Sequence, residues 1–238
     1  MSITENVERI GSFTSSQIYK LMTNNAKKDY FGKPGLTYIE EKKIEKRLGR
    51  SVTTETHSQA MAWGIFMEMV VFDKISFEYK ITSNTTDTHP KIKEWAGSKD
   101  LFVEGVKVSD IKCYQPLNFA KYTDALLKKD VAFIRQNFPK EYWQLVSNAI
   151  INNTPNAEAI TFMPYESELE EIREMAENYD GNDQWKYRFI AESHKSALPY
   201  LPNKGYYKNL NIFEFKVPEE DKKALTERVL MAIQLLNG

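Results

Sequence analysis

The stretch from Leu101 to Cys113 limits what this chain can fold into more than any other. Leu101-Phe102-Val103 is a short apolar run, Glu104-Gly105 sits where a chain reverses, and Val106 to Cys113 alternates in polarity, so the segment reads as a β-hairpin. Side chains along a strand repeat every two residues, which puts Val106, Val108, Asp110 and Lys112 on one face. Valines belong against a core. An acid and an ammonium on the same face do not, because an unpaired buried ion costs several kcal/mol.

Asp100 stands ten residues before Asp110. Two carboxylates brought together offer hard oxygen ligands to a divalent metal, which polarises a phosphoryl oxygen and lowers the pKa of a water. A neighbouring ammonium stabilises charge that builds on the phosphate. This chemistry suits phosphodiester hydrolysis, although a surface hairpin with solvated charges has the same short pattern. The pairing also sets a condition on register. With a loop of Glu104-Gly105 alone, Asp100 lies opposite Ser109 and projects away from Asp110; a three-residue loop or a bulge brings the two acids together. The sequence predicts that odd register.

The 238 residues suffice for one large domain, expected over 1–238, and 42% hydrophobic with 27% charged residues is an ordinary globular balance. No apolar run is long enough to span a membrane and the N-terminus lacks a signal-peptide pattern, so a cytoplasmic location is expected. The single cysteine, Cys113, excludes an internal disulfide framework and a cysteine-ligated cluster. A net charge of −1 does not advertise nucleic acid, but binding depends on how charge is distributed over a face.

Elsewhere the reading is coarser. Thr14, Ser15 and Ser16 precede Ile18, Leu21 and Met22 as a capped helix start, where Arg9 and free backbone N–H groups could hold an anion. Asn24 to Leu36 reads as a basic loop with Lys27, Lys28 and Lys33, and Thr37-x-x-Glu40 as a capping box opening a basic helix that ends at Gly49. A largely apolar helix is expected from about Thr56 to Tyr79, enclosing Glu68, which needs a partner there: a metal site, a hydrogen bond or a salt bridge. A polar link over 81–90 precedes the hairpin. Helices are expected over 118–128, 139–153, 166–179 and 219–236, and strands over 158–163 and 211–217; 180–208 gives no clear periodicity.

Taken in order, Arg9-x-Gly11-x-x-Thr14-Ser15-Ser16, Gly64-x-x-x-Glu68, Ser98-x-Asp100, Asp110-x-Lys112 and Tyr142-Trp143-Gln144 resemble the YqaJ-type viral recombinase family, which includes phage lambda exonuclease, within the PD-(D/E)xK nuclease superfamily. The resemblance covers about residues 7–165. It implies an α/β fold of the restriction-endonuclease-like kind, a central mixed sheet flanked by helices, with the site at one sheet edge and a C-terminal strand and helix as an extension. By the same resemblance Asp100 and Asp110 hold metal with the Ile111 carbonyl, Lys112 is the catalytic lysine, Glu68 completes the metal and water environment, and Gln144 orients the site. Arg9 and Ser16 are the pair that grips a terminal 5′-phosphate, and Ser98 is a further candidate for phosphate contact. Lys99 stands where the superfamily usually has proline, and Asp110 where glutamate is commoner.

The implied activity is Mg²⁺- or Mn²⁺-dependent digestion of linear double-stranded DNA from a 5′ end, with two ions per site, leaving 3′ single strands for recombination. The implied partners are a homotrimeric ring around DNA and a single-strand-annealing protein, in the bacterial cytosol and of phage or prophage origin. Rival readings are an endonuclease or repair nuclease of the same superfamily, and a catalytically silent DNA-binding module. A Ser/His/Asp hydrolase is more distant, since His57, His89 and His194 are scattered and no G-x-S-x-G elbow is present.

Overall fold

A computed structural model describes residues 9–27, 30–52, 58–75, 77, 79 and 86–238. Lys28 of the expected basic loop, His57 near the head of the expected apolar helix and residues 81–85 of the expected link lie outside these. The chain opens with a short strand, β1 (Phe13–Thr14), which runs parallel to β3 (Ile92–Gly97), with Phe13 opposite Trp95; β2 (Asp87–His89) pairs antiparallel on the other side of β3. Periodicity signals no strand here, and residues 87–90 read as link, because these strands are short and interrupted by lysines and Pro90. Burial of Phe13, Trp95 and Ala96 holds the small sheet in place.

The expected first helix is a 3-10 helix, Ser15–Met22, and Thr14 at its head makes no side-chain cap. Helix α1 spans Lys33–Leu48 with Gly32 as its N-cap, five residues before the Thr37 cap that the capping box predicts. Pro34 explains the difference: proline in a first turn lacks only an N–H that has no helical partner, so it starts the helix before Thr37 is reached. Gly49 ends α1 in the left-handed region at φ 66°, as expected. Helix α2 (Gln59–Ile75) buries Trp63, Phe66, Met67, Val70 and Val71.

Strand β4 (Leu101–Val103), β5 (Lys107–Lys112), β6 (Asn156–Phe162) and β7 (Leu210–Lys216) form a mixed sheet in that order, antiparallel, parallel and antiparallel in turn. Between β5 and β6 lie α3 (Pro116–Leu127), α4 (Val131–Asn137) and α5 (Pro139–Ile151). The crossover from β5 to β6 needs helices because the strands are parallel. After β6 come α6 (Leu169–Glu177) and α7 (Arg188–Glu192), the latter inside the stretch without clear periodicity, and α8 (Glu219–Asn237) closes the chain.

Alternation decides which side of the sheet each layer covers. Val108 on β5 and Ala157 and Ala159 on β6 join one core cluster with Tyr142, Val146, Ala149 and the α8 residues Leu225 and Val229. Ile111, Ile160 and Phe162 point the other way, into a cluster with α2 and α6. The two alanines matter for the site. Small side chains let α5 lie close to the sheet, and all of α5 from Tyr142 to Ala149 is buried.

Candidate active site

The hairpin pairs Leu101 with Ser109, Phe102 with Val108 and Val103 with Lys107. Continued by one residue, this places Asp100 opposite Asp110, the odd register, and the Asp100 N–H donates to the Ser109 carbonyl at 3.2 Å. The loop is three residues, Glu104-Gly105-Val106, with Gly105 at φ 71° and the Val106 N–H donating to the Val103 carbonyl at 3.0 Å. Only glycine takes that backbone angle at little cost, so Gly105 fixes the face on which both acids emerge.

Asp110 is buried and held from two directions. Gln144 Nε2 on α5 donates to its Oδ1 at 2.6 Å, and Lys112 Nζ lies 2.7 Å from its Oδ2, which makes no other hydrogen bond among the described residues. Asp100 Oδ2 accepts the Ile111 N–H at 2.6 Å. Ile111 thus orients the first acid through its N–H, while the metal-binding role expected for it belongs to its carbonyl. The side chain of Glu68 on α2 makes no hydrogen bond among the described residues and feels the charges of Asp100, Lys112 and Asp110.

These neighbours resist ionisation. Burial and then Asp110 push Asp100 up to about 7, and burial and then Asp100 push Glu68 up to about 8. Burial raises Asp110 too, against the pull of Lys112. For Lys112 burial opposes the charge, but Asp110 and Asp100 outweigh it and its pKa is raised, so it stays an ammonium.

A divalent cation fits this donor set. Two aspartates in paired register, with one buried oxygen that meets only Lys112 among the described residues, are hard ligands whose repulsion a cation relieves. Among the described residues no three His, Cys, Asp or Glu side chains form a ready-made cage, so Glu68 does not close the set by itself.

Arg9 meets Ser98 instead of Ser16, the partner the resemblance implied for it. The Arg9 guanidinium donates to Ser98 Oγ and, at 2.8 Å, to Thr86 Oγ1. Ser16 is exposed at the start of the 3-10 helix and joins neither. Its segment nonetheless runs on from β1, which lies parallel to the strand leading into Ser98. Lys99, where proline was usual, is buried in an ion pair with Asp87 and lies over the Phe102 ring at 4.8 Å. The departure therefore carries a partner of its own.

Sequence reasoning missed Asn148 and Glu141. Asn148 Nδ2 donates to the Ser98 carbonyl at 2.9 Å, and Glu141 Oε1 accepts the Tyr114 hydroxyl at 2.5 Å. Both lie on α5 at helical spacing from Gln144, three residues before it and four after, so a polar row on an otherwise apolar helix was the available signal. One residue along, Ser147 Oγ accepts from Trp95 Nε1 at 2.8 Å and shares a 2.7 Å bond with Ser15 Oγ.

A mixed sheet flanked by helices, with paired acids and a lysine on its edge hairpin, is the α/β arrangement that the sequence resemblance led us to expect. Solved structures agree. The chain is similar to an alkaline exonuclease, LHK-Exo, from Laribacter hongkongensis (13% identity, TM-score 0.62, covering 96% of this chain and 89% of that one). The same enzyme in complex with dAMP gives 14% identity and a TM-score of 0.64 over 98% and 91% of the two chains. A phage-related exonuclease from Haemophilus somnus 129PT gives 13% identity and a TM-score of 0.60 over 94% and 93%. At such identities the likeness is one of fold, and it is to exonucleases, as the sequence motifs led us to expect. Neither a protein-family model nor a curated protein matches the sequence. Among the described residues no helix is long and apolar enough to cross a membrane.

Proposed function

We propose that this protein is a divalent-metal-dependent 5′-to-3′ exodeoxyribonuclease that shortens one strand of linear duplex DNA and leaves 3′ single-stranded tails. The observation that carries the reading is the Asp100–Asp110 pairing with Lys112 beside it, on a fold shared with exonucleases.

Asp100 and Asp110, with the Ile111 carbonyl, would hold Mg²⁺ or Mn²⁺. When bound, such a cation supplies polarisation of the scissile phosphoryl oxygen and acidification of a water. The chain's own residues do the rest. Lys112 keeps its charge and meets the extra negative charge of the pentavalent phosphate. Gln144 fixes the rotamer of Asp110, and the Ile111 N–H fixes Asp100. In the reaction a water oxygen bonds to phosphorus, the bond to the 3′ oxygen breaks, and that oxygen leaves with a proton. A nucleotide is released and the remaining strand carries a new 5′-phosphate. Arg9 and Ser98, with Ser16, would take that phosphate, which sets direction. We extend the family resemblance to a second ion per site, a homotrimer and a single-strand-annealing partner.

The test is digestion of linear duplex DNA with one 5′ end phosphorylated and the other blocked, by wild type and Asp110→Ala, in Mg²⁺ and in chelator. Metal-dependent shortening from the phosphorylated end, lost in the variant, is expected. Cutting of covalently closed circles would replace the reading with an endonuclease, and no cleavage in Mg²⁺ or Mn²⁺ would leave a binding module.

A further inference from the structure

A loop with an outward aromatic ring sits at the end of the sheet next to Lys112. Its first root is pinned where the Leu201 N–H donates to the Pro164 carbonyl at 2.8 Å, and its second where the Met163 N–H donates to the Asn209 carbonyl at 2.9 Å. Both anchors follow closely on Thr161, which pairs with Lys112 across β5 and β6 and donates through Oγ1 to its carbonyl at 3.1 Å. The loop between these roots therefore projects from the end of the sheet at which β5 delivers the site.

Two adjacent tyrosines divide the work there. Tyr207 faces in: its ring meets Phe119 at 5.8 Å, its hydroxyl donates to Asp124 at 3.0 Å, and it packs against a small core of Phe119, Met163 and Leu201 that also touches Tyr114. Tyr206 meets Tyr207 edge-on at 4.9 Å and is otherwise in water, 85% exposed. Lys204 and Lys208 flank the pair, both exposed, and neither makes an ion pair among the described residues. An anchored ring that displays a second ring beside unpaired ammonium groups suits a nucleic-acid strand, whose bases have π-faces and whose backbone carries the charge.

We propose that Tyr206 is a stacking platform for a base of a single DNA strand at the mouth of the site, with Lys204 and Lys208 on its phosphates. This rests on the nuclease reading above. It adds a contact that recognises unpaired bases, separate from the groups at the scissile phosphate.

The probes are a short fluorescent oligothymidylate and an abasic oligomer of the same length, with binding read by anisotropy in chelator so that neither is cut. Tyr206→Ala should weaken oligothymidylate binding about tenfold and leave abasic binding nearly unchanged. Tyr206→Trp should restore it, because any flat ring serves. Lys204→Ala with Lys208→Ala should weaken both oligomers and flatten the salt dependence. The exposed position makes these variants safe for folding, and a melting curve checks that. Unchanged oligothymidylate binding in Tyr206→Ala, or an equal loss on both oligomers, would overturn the stacking role; that result from a protein that digests duplex DNA removes this inference alone. A wild type that neither binds the oligomers nor cuts DNA removes the nuclease reading and this inference together.

Discussion

The side-chain amide of Asn148 donates to the carbonyl of Ser98 at 2.9 Å, and Gln144, one turn earlier on the same helix, donates to Asp110 at 2.6 Å. Ser98, which meets Arg9, and Asp110, which meets Lys112, are thus both held by one element. Asn148→Ala should lower the preference for a 5′-phosphate over a 5′-hydroxyl end by about tenfold, the worth of a buried hydrogen bond of about 1.4 kcal/mol. Relative cleavage rates on the two ends test this, and an unchanged ratio in a folded variant would refute it.

Gln144→Leu keeps the volume of the buried side chain and removes its hold on Asp110. We expect a fall in kcat of about 10- to 100-fold with a higher metal requirement, the usual scale for losing a group that orients a ligand. A Mg²⁺ titration of the rate shows whether the metal midpoint moves; a loss confined to KM for DNA would count against the assignment.

Stability should depend on pH in the absence of metal. Asp100 is raised to about 7 and Glu68 to about 8 in the folded chain, against about 4 when unfolded. Between these limits the folded state binds more protons, so its stability is full below the unfolded pKa and falls as pH rises through the folded values. Chelated protein should melt at progressively lower temperature from about pH 5 to pH 9, and Mg²⁺ should flatten the slope. Asp100→Asn should flatten it without metal. Equal slopes for wild type and variant in chelator would show that these acids are not the cause.

Gly97 ends β3 where an added Cβ would collide with Ser15 Oγ and Asn148 Oδ1. Both neighbours are buried polar groups with little room to turn. Gly97→Ala should cost about 1–3 kcal/mol in denaturant unfolding, the range for overpacking. A variant as stable as wild type would mean that the 3-10 helix and α5 can move apart there.

The odd register was readable because the demand that two acids share a face, set against a period of two, leaves few loop lengths. Long elements with strong patterns, α2, α5 and α8, were readable for the same kind of reason, and Gly49 stopped α1 where expected. The small sheet was not, since β1 and β2 contribute so few residues that their stability comes from Trp95 and Phe13 packing, which local pattern does not carry. Helix α1 was misplaced because Pro34 outranked a capping box that fell inside the helix. At the site, the charged groups were found by their chemistry, whereas Asn148 and Glu141 owe their place to the closeness of α5 to Ala157 and Ala159, a packing fact.

That closeness lets α5 touch two places at once, Asp110 and the backbone of Ser98. If Arg9 and Ser98 receive a chain end while Asp110 and Lys112 act on the next linkage, the distance between the two tasks is written in one helical turn, about 6 Å over four residues. A rigid turn neither stretches nor slips, so the length of each bite would be set by backbone hydrogen bonds instead of by any moving part. An enzyme built this way would count nucleotides singly because its ruler has only one division.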